Sequence, residues 1–207
     1  YCQSCAITMT LLGLDFDNTL VRYDNLFHQL ALEKDLIDES LVADKTVIRD
    51  YLRSQGQDDE FTLLQGEVYG LRILEAEPAE GMLDSLFKLH KSGFDMVLVS
   101  HKTKTPYKGP AYDLHKAAMS WLEQYGFFAD YGLDWSRDQV FFEESKQNKA
   151  NRIAALNCTH FIDDLPEILN LLPCDNISKI LYNPNSNYDN HNYLNLASWS
   201  EIDKLLP

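Results

Sequence analysis

Carboxylates, a hydroxyl and an ammonium recur in this chain at the ends of apolar runs, where a sheet would bring them together. Leu11, Leu12, Gly13 and Leu14 stop at Asp15, with Asp17 two residues on. Met96 to Val99 stop at Ser100, and Phe161 and Ile162 stop at Asp163 and Asp164. Lys149 stands 14 residues ahead of Asp163 (163 minus 149), enough chain for one short helix and a return into the third run. Lys146, three residues earlier, is its alternative. An isolated Asp-x-Asp is more often a turn or helix cap, and two acids ahead of Pro166 can simply open a helix. That account leaves unexplained why three runs all end in reactive groups. Carboxylates, a hydroxyl and an ammonium brought to one place are a chemically coherent set, able to act on a bound group by acid–base, nucleophilic or electrostatic means.

The elements that would hold these groups can be read from the same runs. Short apolar stretches that end abruptly suit strands buried on both faces of a parallel sheet, and Val140 to Phe142 and Ile180 to Tyr182 are weaker strands of the same kind. Between them lie helical patterns: Met82, Leu83, Leu86, Phe87 and Leu89 closing near Gly93; Leu114 to Tyr125 closing at Gly126; and one around Ile168, Leu169 and Leu172. Ser198 and Glu201, spaced as in a capping box, predict a last short helix. Such alternation predicts an α/β fold, a doubly wound Rossmann-like parallel sheet whose ligand site lies outside the carboxyl ends of its strands. Residues 21–79 carry helical spacing without a convincing strand and are too long for a plain crossover. The expected organisation is therefore a core of residues 9–20 and 80–207, a helical cap of residues 21–79, and a leader or added sequence at 1–8 before Met9. The Asn-rich stretch from Asn183 to Asn195 reads as a surface loop.

The string DFDNTL at 15–20 resembles the first motif, DxDx[TV], of haloacid dehalogenase superfamily phosphatases. Ser100 fits the hydroxyl of the second motif, Lys149 the lysine of the third, and Asp163 with Asp164 the paired acids of the fourth. The resemblance runs in order over roughly residues 10–185, with the insertion where such enzymes carry a helical cap. It implies that Asp15 attacks phosphorus to form an aspartyl phosphate and that Asp17 serves as acid and base. Thr19, Ser100 and Lys149 would bind the transferring group. Asp15, Asp163, Asp164 and Asp17, the last through its backbone carbonyl, would form the metal site. Four carboxylates facing a phosphate dianion call for a hard divalent cation with oxygen ligands, and Mg²⁺ fits. The acid at position 17 favours phosphatase or phosphotransferase over dehalogenase, because the dehalogenases of the superfamily lack it.

Substrate choice is less defined. His101 and Lys102 open a basic stretch that continues through Lys104 and Lys108 and is placed to touch a leaving group or a second phosphate; a solvated loop is an equal reading. This loop, followed by a helix with Trp121 and Tyr125, looks somewhat like the deoxyribonucleotidase branch. Tyr23, Asn25, His28 and Gln29 follow the first motif closely enough to reach the mouth of the site. A cap favours small phosphorylated metabolites such as sugar phosphates or nucleotides. A phosphotransferase or mutase, and a non-catalytic phosphometabolite sensor, are the competing classes.

Composition narrows the partners. With 18 Lys and Arg against 32 Asp and Glu, the formal charge of −14 disfavours a broad grip on nucleic acid. No apolar run has the length of a membrane span, and a cytoplasmic, magnesium-dependent hydrolase is the expectation. Four scattered cysteines in 207 residues do not form a disulfide framework, and the Cys2–Cys5 pair lacks a second pair with zinc spacing.

Overall fold

A computed structural model describes residues 10–173, 176–188 and 192–206. Residues 1–8, Met9 and Cys174, and so the expectations about a leader and the Cys2–Cys5 pair, lie outside the described residues.

Six parallel strands form the main sheet: β1 (Leu11–Leu14), β4 (Asp95–His101), β5 (Val140–Glu143), β6 (His160–Asp163), β7 (Ser178–Tyr182) and β8 (Leu194–Leu196). Their spatial order is β5-β4-β1-β6-β7-β8. Counted by main-sheet strands this is 3-2-1-4-5-6, the doubly wound order, which reverses between β1 and β6. Both faces are covered. Along β4 the side chains alternate: Met96 and Leu98 join the core shared with Leu12, Leu14 and Trp121, while Val97 and Val99 join Phe161, Ile153 and Leu169 on the other side. Gly13 is needed at its position, because a Cβ there would lie 2.4 Å from the Phe161 ring.

Helices α4 (Met82–Lys91), α5 (Leu114–Gln124), α6 (Lys146–Ala155) and α7 (Pro166–Leu171) make the crossovers. Asp113 and Ser145 cap α5 and α6 by accepting the N–H groups of Lys116 and Asn148, and Pro166 opens α7, where its missing N–H has no consequence. The C-terminal element over Trp199–Lys204 is a 3₁₀ helix, and Ser198 caps it through the N–H of Ser200 rather than through the expected reciprocal box.

Residues 24–75 are helical: α1 (Asp24–Glu33), α2 (Lys45–Ser54), α3 (Asp58–Gly66), a π-helical turn at Glu67–Leu71 and a 3₁₀ turn at Ile73–Glu75. Two corrections to the sequence reading arise here. The segment is flanked by a two-stranded antiparallel pair, β2 (Val21–Arg22) and β3 (Glu77–Pro78), which strands of two residues are too short to signal. The Asn-rich stretch is a surface loop only in its first part, since Leu194–Leu196 pairs with β7 as the sheet's edge. The helical segment is not a detached lobe. Its Leu26, Phe27, Leu30, Ile48, Leu64 and Val68 share one apolar core with β1 and α5, and the Trp121 indole N–H donates to the Ala76 carbonyl at 2.8 Å. No helix among the described residues is long and apolar enough to cross a membrane.

Candidate active site

Reversal of the strand order between β1 and β6 opens a crevice at their carboxyl ends, and the two strands end in Leu14 and Asp163. Asp15 follows β1 directly, its N–H bonded to the Ile162 carbonyl at 2.9 Å, so its carboxylate is delivered beside that of Asp163. Both are buried. Lys149 lies on the inward face of α6 and reaches between them, its Nζ 2.5 Å from Asp15 Oδ1 and 2.6 Å from Asp163 Oδ2. Lys146, one turn earlier, faces out and pairs with Glu167 at 2.5 Å. The remaining oxygens are also committed: the Thr19 hydroxyl donates to Asp15 Oδ2 at 3.2 Å, and the Leu165 N–H to Asp163 Oδ1 at 2.9 Å. Thr19 thus orients Asp15 in this structure. Asn18 makes the tight turn possible with φ of 57°.

Burial dominates the electrostatics. It pushes the Asp15 carboxyl up from 3.8 to about 7, against the Lys149 ammonium and with help from Asp163 and Asp17. Asp163 is raised by burial in spite of Lys149, and Asp164 well above the usual carboxylate range by burial, Asp15 and Asp163. Burial also works against the Lys149 charge, yet Asp15 and Asp163 outweigh it and keep the ammonium protonated. One ammonium is insufficient for three acids. Oxygens of Asp15, Asp163 and Asp164 lie within 4.8 Å of one another, a donor set suited to a hard divalent cation such as Mg²⁺.

A pH dependence follows for the metal-free protein. Between about pH 4 and 7 Asp15 holds a proton in the folded state that it loses in the unfolded chain, so its contribution to stability falls as pH rises across that window. Asp15→Asn removes this penalty. Denaturant titrations in excess chelator should show the variant gaining on the wild type with rising pH, by up to about 1.4 kcal/mol for each step of one in pH. A stability difference that is flat across the window would contradict the raised proton affinity.

Asp17 is turned away from this cluster. Its Oδ1 accepts from the Tyr23 hydroxyl at 2.6 Å and from Lys102 Nζ at 3.0 Å, while Lys102 Nζ is 2.9 Å from Oδ2. Burial, followed by Asp17, pushes the Tyr23 phenol well above its usual range, so it remains a donor. Ser100 sits on β4 two residues past Leu98, the register partner of Leu14, and so beside the strand end that carries Asp15. Its fully buried Oγ is the one such side-chain atom among the described residues without a hydrogen-bond partner. A buried hydroxyl without a protein partner at a strand end calls for an explanation, and an oxygen of a bound ligand would supply one. His101 is partly buried beside it, its imidazole kept neutral by burial and then by Lys149.

No protein-family model and no curated protein matches the sequence, but solved structures do. YfnB of Bacillus subtilis, a HAD-hydrolase structure bound to magnesium, superposes with a TM-score of 0.58 at 13% identity over 96% of this chain and 98% of that one. A HAD-superfamily hydrolase of subfamily IA from Geobacter sulfurreducens gives 0.59 at 12% identity, covering 96% and 97%. A dehalogenase gives 0.59 at 12%, covering 97% and 98%. This chain has the haloacid dehalogenase fold. Within the haloacid dehalogenase fold, the six residues Asp15, Thr19, Ser100, Lys149, Asp163 and Asp164 occupy the ends of three neighbouring strands and the helix that covers them.

Other expected contacts distribute differently. Of the four residues after the first motif, only Tyr23 reaches the centre; Asn25 bonds Glu77, His28 the Leu41 carbonyl, and Gln29 Glu33. The basic stretch separates: Lys102 turns inward, Lys104 is exposed, and Lys108 pairs with Asp59 on α3. Trp121 is fully buried against Phe16, with ring centroids 5.4 Å apart, so it packs the core and reads no base. Two residues that the sequence reading did not single out also line the approach. Lys45 opens α2, its ammonium 5.7 and 5.4 Å from the Phe27 and Tyr69 ring centroids; burial opposes its charge, but Tyr69, Asp17 and Asp164 outweigh it. Tyr69 lies in the π-helical turn, a conformation often found at functional sites. Neither had a motif to mark it.

Proposed function

We propose that this chain is a magnesium-dependent phosphomonoester hydrolase that acts on a small phosphorylated metabolite through an aspartyl phosphate on Asp15. The observation that carries the reading is the buried Asp15–Lys149–Asp163 constellation with the open Ser100 hydroxyl at its side. Asp15, Asp163 and Asp164 would hold Mg²⁺, with the Asp17 carbonyl as the further ligand that the resemblance implies. When bound, the ion would neutralise charge on the transferring group.

The chain's own residues account for the rest. An Asp15 oxygen attacks phosphorus as the ester oxygen departs with a proton from Asp17; Lys149 and Ser100 hold the equatorial oxygens. Water then attacks the aspartyl phosphate, Asp17 takes its proton, and inorganic phosphate leaves with Asp15 restored. Residues 21–79 act as a cap, and the edge-to-face contact of Phe27 with Tyr69 beside the site supports a small substrate. Asp17 favours phosphoryl transfer over dehalogenation, which needs no acid at that position.

The direct test is phosphate release under Mg²⁺ across sugar phosphates, nucleotides and small organic phosphates, without an added acceptor. Within it, Asp17→Asn probes the acid. An alkoxide leaving group needs a proton and a nitrophenolate hardly does. First-turnover release from an alkyl phosphate should fall by ~10²–10⁴, with a much smaller loss for the nitrophenyl ester. Equal slowing of both would assign Asp17 a structural role.

A further inference from the structure

By sequence Lys102 reads equally as a contact to the substrate or as part of a solvated basic loop, and its side chain is only 3% exposed. Its backbone is fixed at both ends: the N–H donates to the Glu143 carbonyl at 2.9 Å, and the carbonyl accepts from His115 Nε2 at 2.8 Å, that ring being stacked on Phe142. The ammonium straddles both oxygens of Asp17 and is walled by the Phe16 and Tyr69 rings, with centroids 5.5 and 5.1 Å away. A long, mobile side chain has thus been immobilised on one carboxylate, at the edge of a cavity of about 250 Å³ that Asp17, Lys102, Tyr69, His101 and Gln65 line.

That arrangement answers a difficulty in the site. Asp17 is two residues from Asp15, and a cation held by Asp15, Asp163 and Asp164 would attract a fourth carboxylate. A carboxylate drawn to the ion is lost to proton transfer at the leaving group. Two ammonium groups divide the acids instead, Lys149 serving Asp15 and Asp163, and Lys102 serving Asp17. We propose that Lys102, assisted by the Tyr23 hydroxyl, is the positioning residue that holds Asp17 at the leaving-group cavity and out of the metal cluster. This rests on the reading of Asp17 as acid and base. Tyr23 and Tyr69, whose rings meet edge to face at 4.8 Å, tie that position to the helical segment.

Two measurements test it. In first-turnover kinetics with saturating Mg²⁺, Lys102→Met should slow release from an alkyl phosphate about tenfold or more beyond any loss with the nitrophenyl ester, with little change in KM. Lys102→Arg should recover part of the alkyl rate, and Tyr23→Phe should show a weaker form of the same pattern. The second measurement is Mg²⁺ affinity by calorimetry. Lys102→Met should bind the ion severalfold more tightly because Asp17 is released to it, and this gain should vanish in the Asp17→Asn background. Equal slowing of both esters, a loss expressed mainly in KM, or the same gain in affinity with Asp17→Asn would overturn the positioning role. Should Lys102→Met not fold, Tyr23→Phe decides, and indifference to the leaving group there overturns the proposal. A leaving-group effect in Asp17→Asn with none in Lys102→Met removes this inference alone; its absence in Asp17→Asn removes the underlying reading as well.

Discussion

Asp15→Asn should lose the first-turnover burst with alkyl and nitrophenyl phosphates alike, and steady-state hydrolysis should fall by roughly 10⁶, the order of loss seen when a covalent nucleophile is removed from an otherwise intact site. The side chain keeps its shape and its one carbonyl oxygen can still accept from Lys149, with the amide NH2 facing the Thr19 hydroxyl, so the loss would reflect chemistry. No leaving group compensates for a missing nucleophile, which separates this variant from Asp17→Asn. The fold offers a control in the same sample. Because burial and neighbouring acids penalise the Asp15 charge, the variant should melt no lower than the metal-free wild type near neutral pH. A folded Asp15→Asn that still releases a stoichiometric burst would place the phosphoryl group on another residue. Asp163 is the one to examine, since it shares Lys149.

The contrast between what the sequence disclosed and what it hid is physical. The β1, β4 and β6 runs are legible because a strand covered on both faces must be apolar throughout and becomes polar only where it leaves the sheet. The choice between Lys149 and Lys146 was legible only in part. The 14-residue return to Asp163 favours Lys149, but residues three apart share a helix side, so only the structure decides: Lys149 meets Asp163, and Lys146 pairs with Glu167. The ties to Asp17 were illegible for the opposite reason. Lys102 lies 85 positions away in sequence, and nothing in a lysine's neighbours distinguishes an exposed loop from a chain end folded under two aromatic rings. Likewise β2 and β3 are held together by pairing across the helical segment, which two-residue strands cannot announce, and β8 lies in a polar edge segment without the apolar run of a central strand.

Metal removal should have an effect as complete as loss of the nucleophile. Asp15, Asp163 and Asp164 are acids whose desolvation and neighbouring charges raise their affinity for a cation, while the ammonium among them, that of Lys149, is shared by Asp15 and Asp163. A phosphate dianion entering a site of that charge is repelled unless the deficit is made up. Excess chelator should therefore abolish turnover, added Mg²⁺ should restore it, and Ca²⁺ should support it poorly because its larger and looser coordination disturbs in-line geometry. Folding supplies an independent readout. An ion that binds only the native state adds about 2.7 kcal/mol of stability at a concentration 100 times its Kd. Mg²⁺ should accordingly raise the melting temperature of the wild type, and Asp163→Asn, which loses a ligand and a source of repulsion together, should show little of that rise. Full activity in excess chelator would sink the magnesium assignment. Full activity with no thermal response to Mg²⁺ would go further, because the three carboxylates would then need another reason to be gathered within reach of one another.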